Sequence, residues 1–504
     1  MNIKLKLIGA CALVGAFAAT PASAEWAQSI GMGQKSTNMG NAGVASASDY
    51  DVWYTNPAGA ANITRTTIGL GVKVLNTTNL ENKEPGFNHG VDDTVTGSDN
   101  GYLPSVGAYV PGLLPNVVLG VGFGAPFALA AKWGNNPGVA GVLTPQGQNG
   151  FNPEGFQQVE VLTAEIAPTI GIKVTDKLNI GASVSFTTVK HLFVNIAVNT
   201  SPLGLLGATT SPLLAQTDDD LGLPIPPWEF ATSPHEATYT IGAQYQLLPN
   251  VAVGATYREE MPVEYDLNLR VPVLDNALTG PHIESAKATT KLEIPRHLQI
   301  GVSVDVTPQL KISGDVKWTN WSNAVGVGSS LIVEIAPQAG NVLLGGAAAI
   351  PVNRLVLAHK GDDTYSFHLG AQYKVLPNLE LQAGFIYDPA VFDTQNLSFL
   401  AYSSDRYVYS LGATLDLPDS ALLGSNGDWE FTVGGQFIQY DDFNVAAGQS
   451  STFGTTNSGT AALSTAPDVA FSANTSAFEG GGYIWTAGAS AVYKFGVPEE
   501  VYLK

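Results

Sequence analysis

Of 504 residues only one is cysteine, Cys11, and it lies so near the start that an exported chain would lose it. A disulfide framework and a thiolate metal site are therefore both excluded from the mature protein. Charge is scarce as well, at 13% of residues, and unbalanced: Lys and Arg number 23 against 43 Asp and Glu, a net of −20. A polyanion of this kind cannot hold nucleic acid by counterion release, so nucleic-acid partners are excluded. Long hydrophobic runs are missing too. Past the first two dozen residues no stretch reaches the ~18 apolar residues of a spanning helix, the nearest being residues 342–352 between Asn341 and Asn353. What remains is 45% hydrophobic, too apolar for disorder, with 55 glycines that follow no collagen period.

The first residues read as an export signal. Lys4 and Lys6 mark a short basic region, residues 7–19 are apolar, and Ala22-Ser23-Ala24 is a small-x-small cleavage site. Residues 1–24 are expected to be removed, which takes Lys4 and Lys6 away and leaves 21 − 43 = −22. An exported, cysteine-free, acidic, glycine-rich chain points to a Gram-negative envelope.

The dominant pattern beyond the leader is alternation, the mark of strands whose two faces meet different surroundings. Across residues 237–247 one face carries Tyr239, Ile241, Ala243, Tyr245 and Leu247, the other Thr238, Thr240, Gly242, Gln244 and Gln246. The same dyad recurs over residues 298–305, 310–318 and 365–373. A soluble sandwich also alternates, but its strands average ~5–6 residues, whereas several runs here exceed the ~9–11 needed to cross a bilayer at a tilt. Tyr257, Trp318, Tyr387, Trp429 and Tyr493 sit at strand ends on the apolar face, as interfacial girdles require.

Leu114-Pro115-Asn116, Leu248-Pro249-Asn250 and Leu376-Pro377-Asn378 are near-repeats and read as tight turns, with Asp176-Lys177 and Pro308-Gln309 in the same role. Long connections fall between them, over residues 76–100, 126–157, 199–235, 322–363 and 444–481. Short turns at one end and long loops at the other describe an outer-membrane barrel, all-β and antiparallel, of about fourteen strands. Gly181, Gly242, Gly254, Gly301, Gly370, Gly384, Gly412, Gly434 and Gly488 all fall on the inferred lumenal face. They serve either sheet twist and bending or a further occupant of the lumen.

Residues 25–65 precede the first clear strand and are too few to fold alone. Their motifs Gly31-Met32-Gly33, Gly40-Asn41-Ala42-Gly43, Asp49 and Asn56-Pro57-Ala58-Gly59 resemble the N-terminal hatch of the FadL-type outer-membrane transporters. Ala125-Pro126-Phe127-Ala128-Leu129, Ile294-Pro295, residues 315–322, residues 384–389 and Asp405-Arg406 are similar to further family segments. The last strand ends with Tyr493 and Phe495, where the family typically stops; here residues 496–504 follow as a tail. The resemblance implies a fourteen-stranded barrel (66–495) with a hatch (25–65) inside, importing hydrophobic molecules passively: capture outside, hatch rearrangement, then lateral exit at a kink in the third strand. Gly120, Gly122, Gly124 and Pro126 place that kink, since such residues stand where a ladder breaks.

For capture, Leu205, Leu206, Trp228 and Phe230 make the 199–235 connection more apolar than a solvated loop, and Phe127 and Trp133 add to the loop before it. Packing of these side chains on one another is the alternative reading. Lys132, Lys190, Lys291 and Arg296 are candidate partners for a carboxylate, with Lys291 and Arg296 preferred. His297 and His368 face the lumen by register, but no nucleophile elbow or metalloprotease motif accompanies them. Asp218-Asp219-Asp220 lacks calcium-loop spacing. The expected protein is thus a monomeric, cofactor-free, non-enzymatic importer in the outer membrane, in contact with its lipid and lipopolysaccharide. Its substrates are long-chain fatty acids or, alternatively, monoaromatic hydrocarbons; a general porin and a barrel lipid hydrolase rank below.

Overall fold

The computed structural model describes residues 31–76, 80–83, 94–96, 100–135, 156–199, 210–217, 236–274, 281–335, 354–357, 360–393, 403–418, 427–445, 468–470 and 478–496. Fourteen strands form a ring: β1 (Thr67–Asn76), β2 (Asn100–Leu114), β3 (Val117–Asn135), β4 (Phe156–Lys173), β5 (Leu178–Asn199), β6 (Ala237–Leu248), β7 (Val251–Arg258), β8 (His297–Asp305), β9 (Leu310–Thr319), β10 (Thr364–Leu376), β11 (Leu379–Asp388), β12 (Arg406–Leu417), β13 (Gly427–Val445) and β14 (Phe478–Phe495). Each pairs antiparallel with its two neighbours, and β14 returns to β1 in register from Lys494↔Thr67 to Trp485↔Asn76, so the sheet closes on itself. Closure matters in lipid, where an unpaired backbone edge finds no water.

The faces are inverted relative to a soluble protein. Ile241, Ile300, Phe367, Leu369 and Leu411 are exposed on the outside, while Thr240, Ser303, Ser366, Gln382 and Thr432 are buried within. The alternation in the sequence thus separates lipid from lumen. Girdle aromatics anchor at both rims. At the long-loop rim Tyr257 donates to Glu259, Trp318 to Asp363 and Tyr387 to Asp405. At the short-turn rim Trp429 packs on Tyr493, with centroids 4.8 Å apart. The long-loop rim is the outward one in barrels of this kind.

Above that rim the strands continue. Met261–Leu274 pairs with Pro281–Ile294 as a hairpin that prolongs β7 and β8, and it is flanked by Thr210–Thr217 and Leu331–Ile335. The expectation that Pro126 opens a loop is corrected: β3 runs on to Asn135. Proline lacks the donor a ladder needs, and the ladder accommodates it by skipping, since pairing with β4 jumps from Gly124↔Glu165 to Phe127↔Thr163.

Residues 31–62 fill the lumen as two short helices, α1 (Gln34–Asn38) and α2 (Val52–Thr55), and a 3-10 turn (Pro57–Asn62). The chain leaves this segment for β1 beside the end of β14. There Arg65 pairs with Asp428 at 2.5 Å and donates to the Gly496 carbonyl at 2.9 Å, and Phe495 N donates to Thr66 O.

Candidate functional site: the lumen above the N-terminal segment

Wall glycines face the segment directly. A Cβ at Gly181 would strike Pro57, at Gly242 the Asn56 amide, at Gly370 Met39, and at Gly412 and Gly434 Asn38. Here the absence of a side chain serves close backbone approach. Asn56 is the staple: its Oδ1 accepts from Ala58 N at 3.1 Å, and its Nδ2 donates to the carbonyls of Val44 (2.7 Å), Ala243 (3.2 Å) and Ala255 (3.4 Å). Pro57 starts the 3-10 turn, where its missing N–H costs nothing. Gly59 lies so close to the Ala47 backbone that no side chain fits. On the wall side, Asp315 accepts from Val44 N at 3.0 Å, Gln299 donates to Asn41 O at 3.1 Å, and Lys73 donates to Gly31 O at 2.8 Å. Near the short-turn rim Lys35 pairs with Glu380 at 3.2 Å and Glu430 at 3.7 Å, and these carboxylates hold its pKa above the ordinary lysine value although burial opposes them. Burial, with Glu430 and Asp51 nearby, pushes the Asp49 carboxyl up to about 7.

On one side of the lumen the wall ladder stops short. β2 and β3 pair from Leu114↔Val117 to Ser105↔Gly124 and no further. Among the described residues, beyond that point β2 is bonded only to β1, and β3 only to β4. Inside the break Leu75, Leu103, Ala125, Ala128, Leu162 and Val189 form a buried apolar cluster, with Phe123 packed against it. Trp53 and Met32 of the N-terminal segment lie on Gly124, and the Trp53 ring occupies the place of a side chain at Gly122. Trp53 is fully buried and its Nε1 has no partner, an omission that costs on the order of 1–3 kcal/mol.

The opposite side is polar. A cavity of about 50 Å³ is lined by Tyr54, Thr55, His297, Lys317, Asp388 and Arg406, among others. Arg406 Nε donates to Asp388 Oδ2 at 2.7 Å, while Asp388 Oδ1 and His297 Nδ1 are buried without a partner. His368 also lines it, with Nδ1 2.8 Å from Gly40 O. Between the two sides runs a crossbar: Arg258 of β7 meets both carboxylate oxygens of Glu165 on β4, at 2.7 and 2.6 Å, both residues being almost fully buried. The Tyr54 ring lies 5.5 Å from the Arg258 guanidinium, 6.3 Å from the His297 ring and 5.6 Å from Trp53.

Of the residues picked from the sequence, Asn56, Pro57, Ala58 and Gly59 sit together in the lumen, and Gly120, Gly122, Gly124 and Pro126 lie along the lower and broken parts of the β3 ladder. Phe127 is buried in β3, just past the break. Lys291 pairs with Glu293 at 2.8 Å, and Arg296 pairs with Glu259 and Glu260, so neighbouring acids already neutralise both. Lys190 is likewise bonded to Glu236. Leu205, Leu206, Trp228 and Phe230 lie outside the described residues, as do residues 1–30, residues 497–504 and the side chains of Lys132 and Trp133. Unanticipated residues are Trp53, Tyr54, Glu165 and Arg258, together with the roles of Lys317 and Arg406. Their legible signal was register: Lys317 lies in phase with Asp315 and Arg258 in phase with Thr256, so each is a charge on an inward position.

A profile of the outer membrane protein transport proteins (OMPP1/FadL/TodX) matches residues 15–423. The chain belongs to the OMPP1/FadL/TodX family. Solved structures agree in fold. A Pseudomonas aeruginosa FadL homologue superposes with TM-score 0.67 at 15% identity, over 93% of this chain and 99% of that one. The P. putida toluene transporter TodX gives 0.61 at 16%, over 93% and 99%, and the Ralstonia pickettii toluene transporter TbuX gives 0.57 at 16%, over 92% and 99%. No curated protein matches this sequence. Membership in the FadL family places the barrel in the outer membrane of a Gram-negative bacterium, as a transport protein for hydrophobic compounds. Among the described residues no helix is long and apolar enough to span a membrane, and no cluster of three or more His, Cys, Asp or Glu gathers to hold a metal.

Proposed function

We propose that the protein imports long-chain fatty acids, taking the carboxylate on the polar side of the lumen and the alkyl chain on the apolar side, and releasing the molecule sideways through the β2–β3 break. The supporting observation is the pairing of a cation-bearing cavity with an apolar cluster, one on each side of α2. A carboxylate leaving water needs a cation and donors; Lys317 supplies the charge and His297 a donor, while Arg406 is held by Asp388 at the cavity wall. An alkyl chain gains about 0.8 kcal/mol per buried CH₂, and the apolar cluster at the break offers it such a surface. Capture begins at the outer connections, with Leu205, Leu206, Trp228 and Phe230 as its apolar contacts, and continues at Phe127 and Trp133 of the extended β3. Rearrangement of the hatch then clears the way to the kink between Gly120 and Pro126. In this reading the barrel acts as a monomer, its ring needing no second copy for closure.

Binding of labelled oleate to the detergent-purified protein, with toluene as competitor and Lys317→Ala as control, tests the reading. Saturable oleate binding that toluene leaves largely intact and Lys317→Ala weakens is expected. Full displacement by toluene, with no effect of Lys317→Ala, overturns it in favour of hydrocarbon import, the transport named for TodX and TbuX.

A further inference from the structure

We propose that the Trp53 indole is the stopper of the β2–β3 break and that its neighbour Tyr54 ties removal of the stopper to filling of the cationic cavity, so that the indole sets the width of molecule able to leave. The inference rests on the transport reading above and names the residue that controls its last step.

Position is the first ground. Gly124 is the last β3 residue bonded to β2, and a Cβ there would lie 3.2 Å from Trp53 Cζ2 and 2.9 Å from Met32 Sδ. The indole thus lies against the inner face of the wall where the ladder ends, with Ala167 of the next strand completing its seat. The second ground is how it is held. Its backbone is clamped at both flanks: Trp53 N donates to Tyr109 Oη of β2 at 3.2 Å, and Ser183 Oγ of β5 donates to Trp53 O at 2.8 Å. The ring itself has no hydrogen bond, because Nε1 is unpartnered. Swinging the side chain away therefore breaks apolar contact only, while the peptide stays fixed as a pivot.

The third ground is adjacency. Successive residues of a helical turn point about 100° apart, so α2 carries Trp53 at the break and Tyr54, followed by Thr55, at the cavity. Tyr54 packs edge-on against Trp53 and faces Arg258 and His297. A carboxylate drawn to Lys317 enters beside His297, on which the Tyr54 ring packs, so it moves that ring and loosens the packing that seats the indole.

The test uses the full-length chain in cells lacking their own transporter, with uptake of oleate and of the wider probe pyrene measured per folded barrel. Trp53→Ala is expected to raise the pyrene-to-oleate rate ratio about tenfold, the scale on which a few methylene-sized contacts discriminate, and Trp53→Phe by less. Should Trp53→Ala fail to fold, judged by heat-modifiable mobility, Trp53→Leu carries the test. An unchanged ratio in a folded variant overturns the stopper. Absence of uptake by the parent protein overturns the transport reading instead. Coupling is read separately: oleate should increase acrylamide quenching of tryptophan fluorescence in the parent, but not in Trp53→Phe or Tyr54→Leu. Equal increases in all three remove Tyr54 from the proposal.

Discussion

The two sides of the lumen start from the same material, inward positions of tilted strands around one N-terminal segment, and end in opposite states. Around β1 to β5 an apolar cluster lies at the place where the ladder breaks; around β8 to β12 the ladder is continuous and the inward residues include His297, Lys317, His368 and Arg406. The difference shows how a barrel closed around its ring can leave one ladder incomplete without an edge exposed along its length. Bonding is given up only where apolar side chains and an indole cover the inside. Polar groups gather where every strand is paired on both sides.

The largest way to break this division is through the crossbar that separates its halves. Arg258→Met leaves Glu165 buried and uncompensated, with an expected loss of about 3–5 kcal/mol, whereas Glu165→Leu with Arg258→Met should recover most of it. Denaturant unfolding in detergent measures both. Next comes the glycine belt. Gly434→Ala puts a methyl into the Asn38 amide and should cost about 1–3 kcal/mol, seen as faster proteolysis at Lys35 within the N-terminal segment. Gly314→Ala meets nothing nearer than the His368 carbonyl at 3.8 Å and serves as the neutral control.

A pH dependence confined to the segment is a further test. Asp49 is held at about 7 against an ordinary 3.8, so its carboxyl binds a proton more readily in the folded chain than in the unfolded one. Its contribution to stability is full below about 4 and is lost as pH rises through 7. Asp49→Asn should therefore unfold at a higher temperature than the parent at pH 8 and at nearly the same temperature at pH 4. A gap of equal size at both values would disprove the assignment.

Much of the barrel was legible because lipid and lumen impose a period of two on every strand, and that period survives in Tyr239 against Thr240 or Phe367 against His368. The wall glycines were legible as a face, but not as a seat for Asn38 or Pro57, because that depends on contacts between residues hundreds of positions apart. Pro126 misled because a proline ordinarily ends a strand, whereas here it occupies a skipped position. Trp53 carried no signal of its own; an aromatic beside Asn56 acquires its role only from the glycines at 122 and 124. Lys291 and Arg296 stood out as cations in the right region, and only the fold shows Glu293, Glu259 and Glu260 beside them.

The junction at Arg65 has one further effect. The lumen segment joins the wall through a few residues that are themselves fastened to the far end of the chain, at Asp428 and Gly496. Whatever part of the segment leaves its seat therefore stays at high effective concentration over that seat, and its return is intramolecular. If passage displaces the segment as proposed, its return is set within each barrel, at a rate independent of how many copies the membrane holds.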